Sequence, residues 1–167
     1  LTVAIGRCFA DDAPVLTPPG QQAAGGGILL TTSRASRPAV SARLQGLPVA
    51  QVTATFQTEH GPRRASYEGP LLWTVLTSSG VVDASKPRDQ VRQTVLLTGR
   101  DGYSAVLALG EISPEFEGKQ VVVAKFEDGR PLDPEHYRVV VPGDIRGGRS
   151  VRDVVRIMVL GPEPGNQ

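Results

Sequence analysis

The chain is poor in the residues that build reactive or cross-linked sites: of 167 residues, one is cysteine (Cys8) and two are histidine (His60 and His136). A single cysteine forms no intramolecular disulfide. Cysteine-based zinc or iron–sulfur sites within one chain are excluded too, as is a zinc site of three histidines. Aromatic residues make up only 5% of the chain, and 18 Lys and Arg against 17 Asp and Glu leave a net charge of +1. Such a composition argues against stacking-type nucleic-acid binding and supplies no overall field to gather nucleic acid or anionic lipid. No stretch approaches the roughly 18 apolar residues of a membrane-spanning helix. A G-x-S-x-G elbow, a P-loop and an H-E-x-x-H pair are all missing. The Gly25-Gly26-Gly27 run lacks the strand and helix that a dinucleotide fingerprint requires. Acidic residues are scattered, so no paired-carboxylate site can be argued.

Glycine (19) and proline (14), by contrast, are plentiful, which favours short elements joined by many turns and disfavours a helical bundle. The length suits one domain. Leu1–Ala10 reads equally well as the end of a secretory signal and as a short first strand over Leu1–Ile5. Residues 11–27, rich in Pro, Gly, Ala and Gln, read as a flexible arm, 28–160 as the folded domain and 161–167 as a flexible tail.

Within the domain, period-two or β-rich patterns predict strands at Ile28–Thr32, Gln51–Phe56, Gln120–Phe126, Tyr137–Val141 and Val154–Leu160. Arg92–Leu97 and Tyr103–Leu109 flank Gly99-Arg100-Asp101-Gly102 and predict a hairpin. Pro70, then Leu71, Leu72, Val75 and Leu76, with Gly80 beyond, predict one amphipathic helix, and Val40–Leu47 a shorter one stopped by Pro48.

Two segments carry candidate binding residues. The stretch from Pro142 to Arg152 places Arg146, Arg149 and Arg152 among glycines, which let the backbone approach a ligand while guanidiniums offer forked donors to phosphate or carboxylate oxygens. Its other reading is a turn whose arginines are merely solvated. The second segment, Glu59-His60-Gly61-Pro62-Arg63-Arg64, follows a strand directly and reads as a loop at its mouth, where Arg63 and Arg64 could join the later cluster around one anion. His60 and His136 read as surface loop histidines.

The order of several motifs resembles the molybdopterin-binding domain of the sulfite oxidase family. They are Tyr67-Glu68-Gly69-Pro70-Leu71-Leu72-Trp73, Asp101-Gly102-Tyr103, Glu127-Asp128-Gly129-Arg130-Pro131-Leu132, Arg138-Val139-Val140-Val141-Pro142-Gly143 and Arg149-Ser150-Val151-Arg152-Asp153. The resemblance runs from about Val40 to Leu160. It implies an α+β domain of the sulfite oxidase fold, with mixed β-sheets, short helices and long loops around a cofactor cleft. It also implies a small single-domain relative placed in the periplasm or secreted. In that family a cysteine thiolate holds molybdenum on a pterin dithiolene, and the reaction is an oxygen-atom transfer. The matching loop here has Gly61, Arg63 and Arg64, but Glu59, or Thr58 or Gln57 with a gap, stands where the cysteine belongs.

A carboxylate is a hard donor where the family uses a soft one, so sulfite oxidation by the family mechanism is not expected. The first expectation is therefore a binding module that holds a pterin-type or other small anionic ligand, molybdopterin included, on Arg63, Arg64, Arg146, Arg149 and Arg152. The second is a molybdenum oxidoreductase in which Glu59, His60 or a solvent oxygen replaces the thiolate and Arg146 and Arg149 position an anionic substrate. A third leaves the cleft vestigial and requires an exposed apolar patch for a protein partner.

Overall fold

Alternation along the chain becomes strand in most of the places where the sequence shows it. The computed structural model describes residues 27–33 and 39–161. Its strands are β1 (Leu29–Thr32), β2 (Val40–Ser41), β3 (Ala50–Thr58), β4 (Gly61–Gly69), β5 (Thr94–Gly99), β6 (Ser104–Ala108), β7 (Val122–Ala124), β8 (Phe126–Glu127), β9 (Arg130–Pro131), β10 (Arg138–Val140) and β11 (Val154–Leu160). Between them lie the short helices α1 (Leu72–Ser78), α2 (Pro87–Gln90) and α3 (Leu109–Ile112), and a 3-10 turn over Gly147–Arg149. Mixed sheets with few short helices make this an α+β architecture. The leader and most of the arm and tail expected at the two ends lie outside the described residues.

Five strands pair in the order β2-β1-β11-β5-β6, four in the order β3-β4-β8-β9, and β10 pairs with β7. Among the described residues only β1 and β11 run parallel; the other strand pairings are antiparallel. The β7/β10 pair explains why Val121-Val122-Val123-Ala124 is apolar at every position. Val121, Val123, Val139 and Val141 enter the larger core, with the five-stranded sheet and α1, whereas Val122, Ala124 and Val140 enter the smaller one, with β3 and β4. A strand buried on both faces loses its alternation. The pair is thus a middle layer that joins two cores.

Helix α1 forms where expected and buries Leu72, Val75 and Leu76. It ends because the Ser79 hydroxyl and amide both donate to the Val75 carbonyl (2.8 and 3.3 Å) and Gly80 takes a left-handed φ of 70°. Trp73 on this helix is only partly buried, packed at the margin of the larger core.

Three local expectations are corrected. Val40–Leu47 is not a helix: the β-branched Val40 pairs with Leu30 at the free edge of β1, and Gly46 (φ 78°) turns the chain before Pro48. Segment 59–64 is not a loop either. Only Glu59 and His60 form the turn, and strand β4 starts at Gly61, with Thr58 paired to Gly61 and the Thr58 hydroxyl donating to the Gly61 carbonyl at 2.7 Å. Finally, 120–126 is two strands, because at Lys125 the chain leaves β10 and joins β4, its amide donating to the Glu68 carbonyl at 2.8 Å. No helix among the described residues is long and apolar enough to cross a membrane.

Candidate functional site

A cleft of about 320 Å³ opens where four pieces of backbone meet: β3 with β4, the turn between β5 and β6, the start of β10, and the loop leading into β11. Phe56, Tyr67 and Tyr103 give it aromatic walls, and Arg63, Arg138 and Arg152 line it together with Asp101. A second cavity of similar size adjoins it, lined by the same three arginines and by Glu127, Asp133, His136 and Asp153. The arginines therefore form the partition between two hollows.

Strand alternation puts Arg63 there. Ala65 and Tyr67 are buried and share a face of β4 with Arg63, whereas Arg64, Ser66 and Glu68 face the other way. Arg138 sits at the first position of β10, its guanidinium carbon 5.0 Å from the centre of the Tyr67 ring, and only 11% of its side chain is exposed. Arg138 Nη1 donates to Glu127 Oε2 at 3.3 Å, while its Nε is buried with no hydrogen-bond partner. Such an orphaned donor carries a real cost, since a buried polar group left unmatched forfeits its hydration.

Glu127 is the common partner on this side. Its Oε1 accepts from Arg63 Nη2 and, at 3.3 Å, from the Tyr67 hydroxyl. Burial pushes the Tyr67 phenol above its ordinary pKa, and neighbouring Glu127 adds to this against the opposing effect of Arg138 and Arg63. The hydroxyl thus stays a proton donor at neutral pH. Backbone pairing fixes Glu127 in place: it sits directly opposite Tyr67 in the register of β4 and β8, beside a turn of Asp128 (φ 51°) and Gly129 (φ 72°). The Asp128 carboxylate accepts from the Ser66 amide at 2.8 Å and ties that turn to β4.

Arg152 arrives on a loop bound to β10 at three points. The Val139 amide donates to the Val151 carbonyl (2.9 Å), the Val154 amide to the Tyr137 carbonyl (2.9 Å) and the Val141 amide to the Ser150 hydroxyl (3.0 Å). Close approach to β5 requires Gly99, where a Cβ would lie 2.8 Å from the Arg152 carbonyl oxygen. Among the described residues the exposed Arg152 side chain has no hydrogen-bond or ion-pair partner. Next to it Asp153 holds a left-handed φ of 48°, and its carboxylate lies 2.9 Å from His136 Nδ1.

Of the five arginines singled out in the sequence, then, Arg63 and Arg152 line the cleft and the other three do not. Arg64 is exposed on the opposite face of β4, and Arg146 is exposed just before the 3-10 turn. Arg149 is clamped between two carboxylates. Its Nε and Nη2 meet Asp144 at 3.0 and 2.6 Å, and its Nη1 meets Glu111 at 2.9 Å. Arg138 is the residue that sequence reasoning missed. The available signal was its position at the head of a predicted strand that leads straight into the arginine-rich loop.

The clamp makes Arg149 a structural residue, and Arg149→Ala is expected to cost about 1–2 kcal/mol in urea unfolding, the exposed third of the side chain holding it at the low end. Burial works to raise the Glu111 pKa, but the Ala108 amide and Arg149 outweigh it and hold the carboxyl below its ordinary range. A depressed folded pKa favours the fold above the unfolded value. This contribution is therefore fully present at neutral pH and is lost as pH falls below the ordinary glutamate range and through the folded value. The wild-type protein should show that acid-side loss, and Glu111→Gln should show less of it.

Glu59 and His60, offered in place of the thiolate, lie at the exposed tip of the β3–β4 turn and outside the lining of either cavity. Among the described residues no group of three or more His, Cys, Asp or Glu side chains could hold a metal ion. The three guanidiniums that line the cleft are donors of the kind that an anion accepts from. Comparison with known proteins finds no family model that matches the chain and no curated protein that matches it.

Proposed function

We propose that this chain is a binding module of the sulfite oxidase fold that holds a small oxyanion, or the phosphate of a pterin-type ligand, in the cleft of Arg63, Arg138 and Arg152. The observation that carries this reading is the convergence of three arginines from three separate segments on one cavity with aromatic walls. Guanidinium forks match the geometry of phosphate oxygens, and the walls suit a flat ring attached to the anion. Among the described residues the exposed Arg152 side chain has no partner, which leaves its donors free for such a ligand. The order of motifs from Tyr67 to Asp153 supports the same fold and ligand class. No oxygen-atom transfer is assigned to this chain, because the positions that would carry the metal ligand hold Gln57, Thr58, Glu59 and His60, none of them a soft thiolate.

Isothermal titration with pyrophosphate tests the reading. Binding of one pyrophosphate per chain is expected, weakening with added salt; Arg152→Ala should lower the affinity about tenfold and Arg64→Ala by less than about twofold. Equal affinities for wild type and Arg152→Ala would contradict it. Protein made in a host that synthesises molybdenum cofactor, assayed for pterin fluorescence after oxidative release, distinguishes a pterin ligand from another oxyanion.

A further inference from the structure

Of the carboxylates on the far side of the arginine partition, Glu127 touches two of the arginines and is placed to choose among anions. We infer that Glu127 is a specificity-determining residue of the cleft, admitting ligands with several oxygens and rejecting small monovalent anions such as chloride. This inference rests on the reading of the cleft as an anion site.

Glu127 Oε1 meets Arg63 Nη2 and Oε2 meets Arg138 Nη1, so one carboxylate bridges two of the three arginines of the cleft. A monovalent ion that settles against Arg63 or Arg138 meets a cation already matched by a negative charge in direct contact, and gains little. Arg152 has no such partner, but a single solvent-exposed guanidinium holds a monovalent ion weakly. A ligand with several oxygens differs in kind. It can bridge the donors of Arg63 and Arg138 that Glu127 does not engage and those of Arg152, while Glu127 stays in place.

Glu127 is also rigid enough to discriminate. Its position comes from the register with Tyr67 and the Asp128–Gly129 turn, and a third hydrogen bond from the Tyr67 hydroxyl holds its Oε1. Arg138 keeps its place without it, stacked on Tyr67 and largely buried. Removing the negative charge should therefore leave the donors in position and make the partition more positive.

The test is pyrophosphate affinity of the full chain in sodium chloride and in sodium gluconate, matched at about 0.15 M ionic strength. For wild type the two affinities should agree within about twofold, whereas Glu127→Gln should bind about tenfold more tightly than wild type in gluconate and lose about fivefold or more in chloride. Glu127→Asp, which keeps the charge, should restore the wild-type ratio. A Glu127→Gln protein that binds more weakly than wild type, or whose chloride ratio stays within twofold, overturns the inference, as does a wild type that is itself chloride-sensitive. The underlying reading fails separately, when Arg152→Ala binds pyrophosphate as well as wild type does.

Discussion

Arg138→Ala is expected to weaken pyrophosphate binding about 100-fold, the largest functional effect of any single substitution in the cleft. Hydrogen bonds to a charged group contribute about 1.5–3 kcal/mol each, and a loss of about 2.7 kcal/mol corresponds to that factor. Arg138 carries more of the affinity than Arg63 or Arg152 because its side chain is 11% exposed where that of Arg63 is 56%, so its charge is less screened and its geometry is fixed before a ligand arrives. Removal also leaves Glu127 with one guanidinium instead of two, which adds a loss of stability. Arg138→Lys separates these effects. A lysine keeps the positive charge beside Glu127 but lacks the fork and the planar stacking surface over Tyr67, so it should recover stability while remaining about tenfold weaker in binding. Titration calorimetry and urea unfolding of the two variants would check this, and full affinity in Arg138→Lys would show that the fork is not used.

Gly69→Ala should cost the most stability, about 3 kcal/mol, and should damage binding at the same time. A Cβ at Gly69 would overlap the Val123 carbonyl, with the Ala124 Cα also within 3.0 Å. Both neighbours are backbone of the buried middle strand β7, so no side chain can swing aside. Overpacking of this kind costs about 1–3 kcal/mol, and the upper end applies where backbone must move. The functional consequence follows from what the contact joins. Strand β4 carries Arg63 and Tyr67, whereas β7 is paired with β10, which carries Arg138. Forcing β4 from β7 separates the stacked pair of Tyr67 and Arg138. The expected result is a lower urea midpoint with an unchanged m-value, together with weaker pyrophosphate binding. Wild-type stability in Gly69→Ala would mean that the two layers are less closely seated than described.

Much of this architecture is legible in the chain, because local patterns were sufficient for it. Val154–Leu160 is strand over the expected residues, and the Gly99–Gly102 hairpin pairs β5 with β6. Strand β4 was hidden. Gly61, Pro62 and two adjacent arginines break the look of alternation, and Arg63 occupies a position on the inner face that a core residue would normally fill. Arginine clustering in sequence also proved a poor guide to clustering in space. Arg149 was inseparable from Arg152 by spacing, yet its partner Glu111 lies 38 residues away on α3 and takes it out of the cleft. Arg138, alone among valines, joins the site only through the pairing of β10 with β7 and the packing of that pair on β4. Tertiary partners of this kind leave no local trace.

Whether Arg63, Arg138 and Arg152 hold one oxyanion together can be read from the arginine side-chain Nε–H resonances by NMR while pyrophosphate is added. The signals of Arg63, Arg138 and Arg152 should shift with a common saturation curve, while those of Arg64, Arg146 and Arg149 stay in place. Shifts confined to Arg64, Arg146 or Arg149, or separate curves for the three cleft arginines, would contradict it.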